Sequence, residues 1–315
     1  MKQKTSLFID ISLKFFGLML YLVFYLLGWR FIFWAGKLTG DIIFYINRSL
    51  KEMTKMELEI LFGDKYDDRI LNYITKKSIE HYYIRNIETF FLGVLNKKRI
   101  QKIVHVEGLK NIEESLSKGK GIILLLSHFG SFLLPLPFLG FLGYKVNQIT
   151  GKQLHKSLIE ERIWSWRKKE AEKLPVKFMQ VEKFLRPIYN ALKKNEIVAI
   201  AFDGRDGSKW IVTSFYQRKA LFSTGPFELA RRTGAIIIPT FIIREKKYTH
   251  RLIFEMPLTL SENSNIERAL SEDTIHFAKL LTNYIDKYPC HFGWLLFKIK
   301  KLQKAGIKYA LFQDK

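Results

Sequence analysis

The sequence predicts an α/β fold, a mixed sheet flanked by helices, preceded by an N-terminal membrane-anchor helix and a helical segment. Three observations carry that prediction. Residues 15–36 form an apolar stretch broken by a single charge, Arg30. Residues 38–100 repeat apolar positions at three- and four-residue spacings, as in Met56-Glu57-Leu58-Glu59-Ile60-Leu61-Phe62. Beyond residue 101, short apolar runs alternate with helical patterns.

The N-terminal stretch is long enough to cross a bilayer at about 1.5 Å per residue. Lys2, Lys4 and Lys14 precede it and Lys37 follows. Trp29, Phe31, Phe33 and Trp34 gather at its end as an interfacial belt would. An arginine in hydrocarbon costs about 2.5–3.5 kcal/mol, less if it snorkels to the headgroups. A single anchor helix over residues 1–37 is expected, with a tilted interfacial helix and a buried helix as alternatives. The run's length and the lack of a small-residue cleavage site disfavour a signal peptide.

Residues 38–315 then form the α/β domain, with 38–100 as its helical preface. Gly63 and Asp64 end the first helical run, and a second covers Ile84 to Phe91. Strands are expected at 121–127, 144–150, 197–202, 235–243 and 252–255, with helices near 153–172, 181–194 and 266–287. A further helix follows Pro226, with Ser223 or Thr224 as its cap and Gly234 just past its end. From Phe292 the last 24 residues carry six lysines and one aspartate. They suit either a second membrane-contacting helix or a solvated basic tail.

Charge narrows the partners. Fifty-two Lys and Arg against 30 Asp and Glu give +22, which implies an acidic partner. Nucleic-acid binding calls for exposed aromatics among the basic residues or a reading motif, and neither is present. The aromatics lie in apolar runs instead, which favours anionic membrane lipid or an acidic carrier protein. The one cysteine, Cys290, excludes an internal disulfide and a cysteine zinc cage, and points to a cytosol-facing protein with an inert thiol. No histidine has a second histidine or cysteine at ligand spacing, so no metal is implied.

Three segments carry candidate chemistry. Ser127-His128-Phe129-Gly130-Ser131 directly follows an apolar strand, where catalytic groups of open α/β sheets gather. His128 there suits a general base, and Gly130, with Ser131, would let backbone approach a substrate. A structural histidine is the competing reading. Phe202-Asp203-Gly204-Arg205-Asp206-Gly207 follows another apolar strand. Arg205 is placed to bind phosphate and Asp203 to orient an imidazole, unless the segment is only a polar turn.

In the third segment, Thr224 and Gly225 open a helix whose N–H groups could receive an anion, unless it is an ordinary capped helix. Arg218, Lys219, Arg231 and Arg232 are candidates for acceptor phosphates or an acidic carrier, or form a solvated basic face. The run from Phe132 through Leu133 and Phe138 to Leu142 suits an acyl-chain pocket, with core packing as the alternative.

Taken in order, these segments resemble the lipid A biosynthesis late acyltransferases, the lauroyl and myristoyl transferase family within the lysophospholipid acyltransferase superfamily. The most specific part is Phe222-Ser-Thr-Gly-Pro-Phe-Glu-Leu-Ala-Arg-Arg-Thr-Gly-Ala-Ile-Ile-Ile-Pro239, followed by Arg244. Tyr288-Pro289 and Trp294 are similar to the family's closing segment. The resemblance implies acyl transfer from a thioester of acyl carrier protein or coenzyme A to a hydroxyl of a membrane glycolipid, at the cytoplasmic face of a bacterial inner membrane. It implies no bound cofactor, and His128 as the base.

One departure stands out. The family pairs its histidine with an acid five residues on, and Leu133 occupies that position here. His155 with Glu160 and His250 with Glu255 match the spacing by chance and lack the surrounding context. This leaves two expectations: Asp203 or Asp206 supplies the acid from the neighbouring sheet edge, or the chain is a lipid-binding or complex-forming subunit. A phospholipid-remodelling acyltransferase of the glycerophosphate type shares the same chemistry.

Overall fold

A computed structural model describes residues 21–150, 158–180, 185–203, 209–216, 218–245, 248–292 and 311–312, together with Ser12, Phe15 and Gly17 to Met19. The expected helical preface is present. Helices α1 (Trp29–Ile46), α2 (Arg48–Phe62), α3 (Asp68–Phe90) and α4 (Lys97–Ile103) precede the sheet. Three of them are capped by side chains that accept a backbone N–H: Asn47 from Leu50, Asp67 from Ile70 and Asn96 from Arg99.

The expected anchor helix does not run unbroken to residue 37. The apolar run is not one continuous helix, because Gly28 breaks it with φ +64°, a conformation that glycine takes without steric cost. Residue 37 falls inside α1, so the run continues into the preface. Trp29, Ile32, Gly36, Gly40 and Phe44 are buried at helical spacing. Gly36 and Gly40 let α1 close on α3: a Cβ at Gly36 would lie 2.4 Å from the Ile84 Cα, and one at Gly40 would lie 2.5 Å from the Glu80 Cα. No helix among the described residues is long and apolar enough to cross a membrane. On the opposite face of α1, Trp34, Leu38, Ile42, Tyr45 and Ile46 are exposed.

Gly36→Leu should therefore push two backbones apart and cost roughly 1–3 kcal/mol. The expected result is a lower denaturant midpoint at an unchanged slope, whereas Trp34→Ala on the exposed face leaves the midpoint nearly unmoved.

The main sheet has seven strands in the order β1-β9-β8-β2-β5-β3-β4. They are β1 (Val104–Glu107), β2 (Ile122–Leu126), β3 (Val146–Thr150), β4 (Lys177–Gln180), β5 (Ile197–Ala201), β8 (Ile236–Arg244) and β9 (His250–Phe254). Only β8 and β9 pair antiparallel; the other neighbours are parallel, which makes the sheet mixed as predicted. Three short antiparallel strands, β6 (Trp210–Phe215), β7 (Arg218–Ser223) and β10 (Leu311–Phe312), form a second sheet.

Five further helices follow the chain order of the sheet: α5 (Leu109–Ser117), α6 (Pro135–Phe141), α7 (Leu158–Ala171), α8 (Arg186–Lys193) and α9 (Gly225–Thr233). The last, α10 (Ile266–Lys287), has the bounds predicted for it.

Alternation along the strands divides the core into two layers. Ile123 and Leu125 of β2 face one layer, while Ile122, Leu124 and Leu126 face the other. Residues of α2, α8, α9 and α10 cover the first layer, and residues of α1, α4, α5 and α6 cover the second. All five β2 residues are buried, each worth up to about 1.5–3 kcal/mol. A strand so enclosed is rigid, and the loop at its carboxyl end is held firmly.

Candidate functional site

Strand register brings the first two candidates together. Leu126 of β2 lies beside Ala201 of β5, and the Phe202 N–H donates to the Leu126 carbonyl at 2.8 Å. Two residues further along each strand come His128 and Asp203. Their side chains meet: His128 Nδ1 lies 2.8 Å from Asp203 Oδ1.

Asp203 is fully buried. Its carboxylate also accepts the Ser127 hydroxyl at 2.6 Å and the His128 backbone N–H at 2.9 Å. Burial alone would raise this carboxyl group, but the neighbouring His128 and these donors hold it below the usual aspartate range. An ionised Asp203 accepts from Nδ1–H, which places the proton on Nδ1 and leaves the Nε2 lone pair open. The His128 side chain is 27% exposed, while the Asp203 side chain is fully buried. The ring of Phe132 meets His128 edge-on at 4.7 Å.

The loop that carries His128 is locked from below. Gly130 has φ +59°, and a Cβ there would lie 2.0 Å from the Ile242 carbonyl oxygen. Its N–H donates to the His291 carbonyl at 3.3 Å. Glycine is needed here because strand β8 approaches closely, not because a substrate does. Ser131 is likewise taken up by the protein. Its hydroxyl donates to Glu88 Oε2 at 2.7 Å and accepts from Arg244 Nη2 at 2.9 Å.

Glu88 and Arg244 form a buried ion pair at 2.7 Å. His250 Nε2 lies 3.3 Å from the same carboxylate, and the Arg244 backbone N–H donates to His291 Nε2 at 3.0 Å. His291 in turn stacks on Phe129. This network ties α3, the His128 loop, β8, β9 and the segment after α10 into one support. Glu88, His250 and His291 were not among the sequence candidates. A signal for Glu88 existed, since it stands four residues past Ile84 on the buried stripe of α3.

Other candidates fall elsewhere. Arg231 donates to Asp273 and to the Ser261 carbonyl, so it holds α9 against α10. Arg218 faces Glu57 of α2 at 3.5 Å. The start of α9 is corrected as an anion site: Gly225 N–H goes to the Ser223 hydroxyl, Pro226 has none, and Phe227 and Glu228 donate to the Thr224 carbonyl. The Thr224 hydroxyl goes to Glu228 rather than to a backbone N–H, because Thr224 is itself in a helical conformation. Phe138 packs in the core, whereas Phe132 and Leu133 remain partly exposed. Arg205, Asp206 and Trp294 lie outside the described residues, as does most of the basic tail. Burial pushes the Cys290 thiol up to about 12. Among the described residues, no group of three or more His, Cys, Asp or Glu is placed to hold a metal ion.

The family model for bacterial lipid A biosynthesis acyltransferases matches residues 1–301. The chain belongs to that family. This member of the lipid A acyltransferase family is 24% identical over 212 residues to the lipid A biosynthesis palmitoleoyltransferase of Escherichia coli (strain K12). The alignment takes in 66% of this chain and 65% of that one. The lipid A biosynthesis acyltransferase of Shigella flexneri gives the same identity and the same coverage. The match thus spans just under two thirds of these relatives' length. Among solved structures, the 1-acyl-sn-glycerophosphate (LPA) acyltransferase from Thermotoga maritima is 16% identical, with 79% of this chain and 97% of that chain covered and a TM-score of 0.36.

Proposed function

We propose that this chain is a membrane-surface acyltransferase that moves a fatty acyl chain from a thioester donor to a hydroxyl of a membrane glycolipid or phospholipid. The observation that carries the proposal is the His128–Asp203 pair, which has the orientation of a general base although Leu133 replaces the family's acid. His128 Nε2 takes the proton of the acceptor hydroxyl while that oxygen attacks the thioester carbonyl carbon. The C–S bond then breaks, and the imidazolium returns the proton to the departing thiolate. Asp203 stabilises the imidazolium between the two transfers.

The donor is acyl carrier protein or coenzyme A, both of them acidic partners for a chain of charge +22. Membrane attachment is assigned to the exposed apolar face of α1 and the residues before it, among them Leu22, Tyr25, Leu26 and Leu27. We place the chain at the cytoplasmic face of a bacterial inner membrane, a location that suits its single cysteine and lipid A family.

The test is mass spectrometry of total membrane lipids from cells expressing wild type, His128→Ala or no copy. A lipid that gains one acyl chain only with the wild type is expected, with loss of roughly 10²–10⁴ in rate for the variant. No acylated lipid in any strain, with both proteins folded and membrane-bound, would make the chain a binding subunit instead.

A further inference from the structure

Arg85 of α3 stands over the ring of Phe132, 5.3 Å from its centre, on the residue whose edge meets His128. It also lies over Tyr82. Among the described residues it has no carboxylate partner and no hydrogen-bond acceptor, yet it is only partly exposed. Arg167 of α7, whose charge acts on Arg85, reaches Asn86, the next residue along α3, and lies over the Phe90 ring at 4.6 Å. It donates to the carbonyl and side-chain oxygens of Asn86, and its Nε is buried without a partner. Burial first, and then the positive field of Arg167 and Arg244, pulls the Arg85 guanidinium below its ordinary value, against the raising effect of Tyr82 and Glu88.

Three guanidiniums and one carboxylate act on one another here. Arg85, Arg167 and Arg244 each carry a full positive charge. Glu88, the carboxylate among them, is already committed to Arg244, His250 and Ser131. Charges held out of water are ordinarily paired, and a partly covered guanidinium without a carboxylate favours whatever anion can reach it. Two uncompensated guanidiniums match a dianion, and planar N–H forks suit phosphate oxygens.

We propose that Arg85 and Arg167 form an anion subsite beside His128 that takes a phosphomonoester. Resting on the transferase reading, it holds one substrate by a phosphate while His128 works on a neighbouring hydroxyl. That phosphate comes either from the acceptor's headgroup or from a coenzyme A donor.

The experiment is calorimetric titration of inorganic phosphate into the full chain in detergent. One phosphate per chain is expected for the wild type. Arg85→Gln and Arg167→Gln should each weaken binding by roughly ten- to a hundredfold, the loss of charge-assisted hydrogen bonds. Arg85→Lys should keep part of the affinity, and Lys110→Gln, at an exposed side chain of α5, all of it.

Displacement of phosphate by phosphatidic acid in phosphatidylcholine vesicles assigns the subsite to the acceptor, and displacement by coenzyme A assigns it to the donor. Wild type that binds no phosphate overturns the proposal. So does unchanged binding in the two glutamine variants with wild-type melting. Should Arg85→Gln fail to fold, Arg85→Lys and Arg167→Gln decide. Phosphate binding without acyl transfer would remove the transferase reading and leave the subsite standing; transfer without phosphate binding would do the reverse.

Discussion

Asp203→Asn is expected to lower acyl transfer by roughly 10²–10⁴-fold with the fold retained. The substitution keeps the shape of the side chain but removes its charge. Whichever way the amide sits, the imidazolium that forms during transfer loses the buried anion 2.8 Å from its Nδ1. If the amide nitrogen faces the ring, the proton also shifts to Nε2, where the base needs its lone pair. The measurement is steady-state transfer by the purified chain beside its circular dichroism. A fall in kcat with nearly constant KM is expected, because Asp203 is fully buried and acts through His128. Unchanged kcat in a folded Asp203→Asn variant would mean that Asp203 has only a structural role, and that another group orients His128.

That prediction was available in outline from the sequence, for a specific reason. His128 and Asp203 each follow a short, wholly apolar run, and such runs become central parallel strands whose ends meet. What pairwise motifs cannot state is register, and it is the Leu126 to Ala201 alignment that puts the two side chains in contact. The helix bounds of α10 were legible from periodicity, and the break after Phe62 from Gly63 and Asp64.

Other features were hidden by local chemistry. The β6–β7 hairpin turns at Tyr216 with φ +51°, where a glycine or asparagine would have signalled the bend. Strands β1 and β4 are four residues each, too short to show alternation. The apolar run at the N-terminus looked continuous because composition does not reveal that Gly28 adopts positive φ. Nor does it reveal that Gly36 and Gly40 meet Ile84 and Glu80 of a helix far along the chain. At Ser131, Arg231 and Thr224 the sequence shows donors but not the acceptors that take them.

The largest effect on stability is expected at Glu88. Glu88→Ala leaves Arg244 buried without its carboxylate, along with an unpaired His250, and should cost about 3–5 kcal/mol. Set against a typical total of about 5–15 kcal/mol, that is a large share, and a urea midpoint would report it. The double variant Glu88→Leu with Arg244→Met should recover much of the loss, since an apolar pair of similar volume needs no neutralisation. A double variant no better than the single one would show that Ser131 and His291, rather than the ion pair, carry the network.

The same cluster gives the pH dependence its sign. Burial would raise the Glu88 carboxyl group, but Arg244 and His250 hold it far below the glutamate range. A depressed folded value means stabilisation present above the unfolded value near 4.3 and lost as pH falls. His250 and His291 are lowered by burial and by Arg244, His291 to about 3, so they stay neutral in the folded state while the unfolded chain takes up protons below about 6.5. Stability should therefore decline from about pH 6.5 downward, first through the histidines and then through Glu88. In Glu88→Ala the second of these phases should shrink to what Asp203 and other depressed carboxylates contribute. Persistence of the full acid-side loss in that variant would move its origin to other carboxylates, Asp203 first among them.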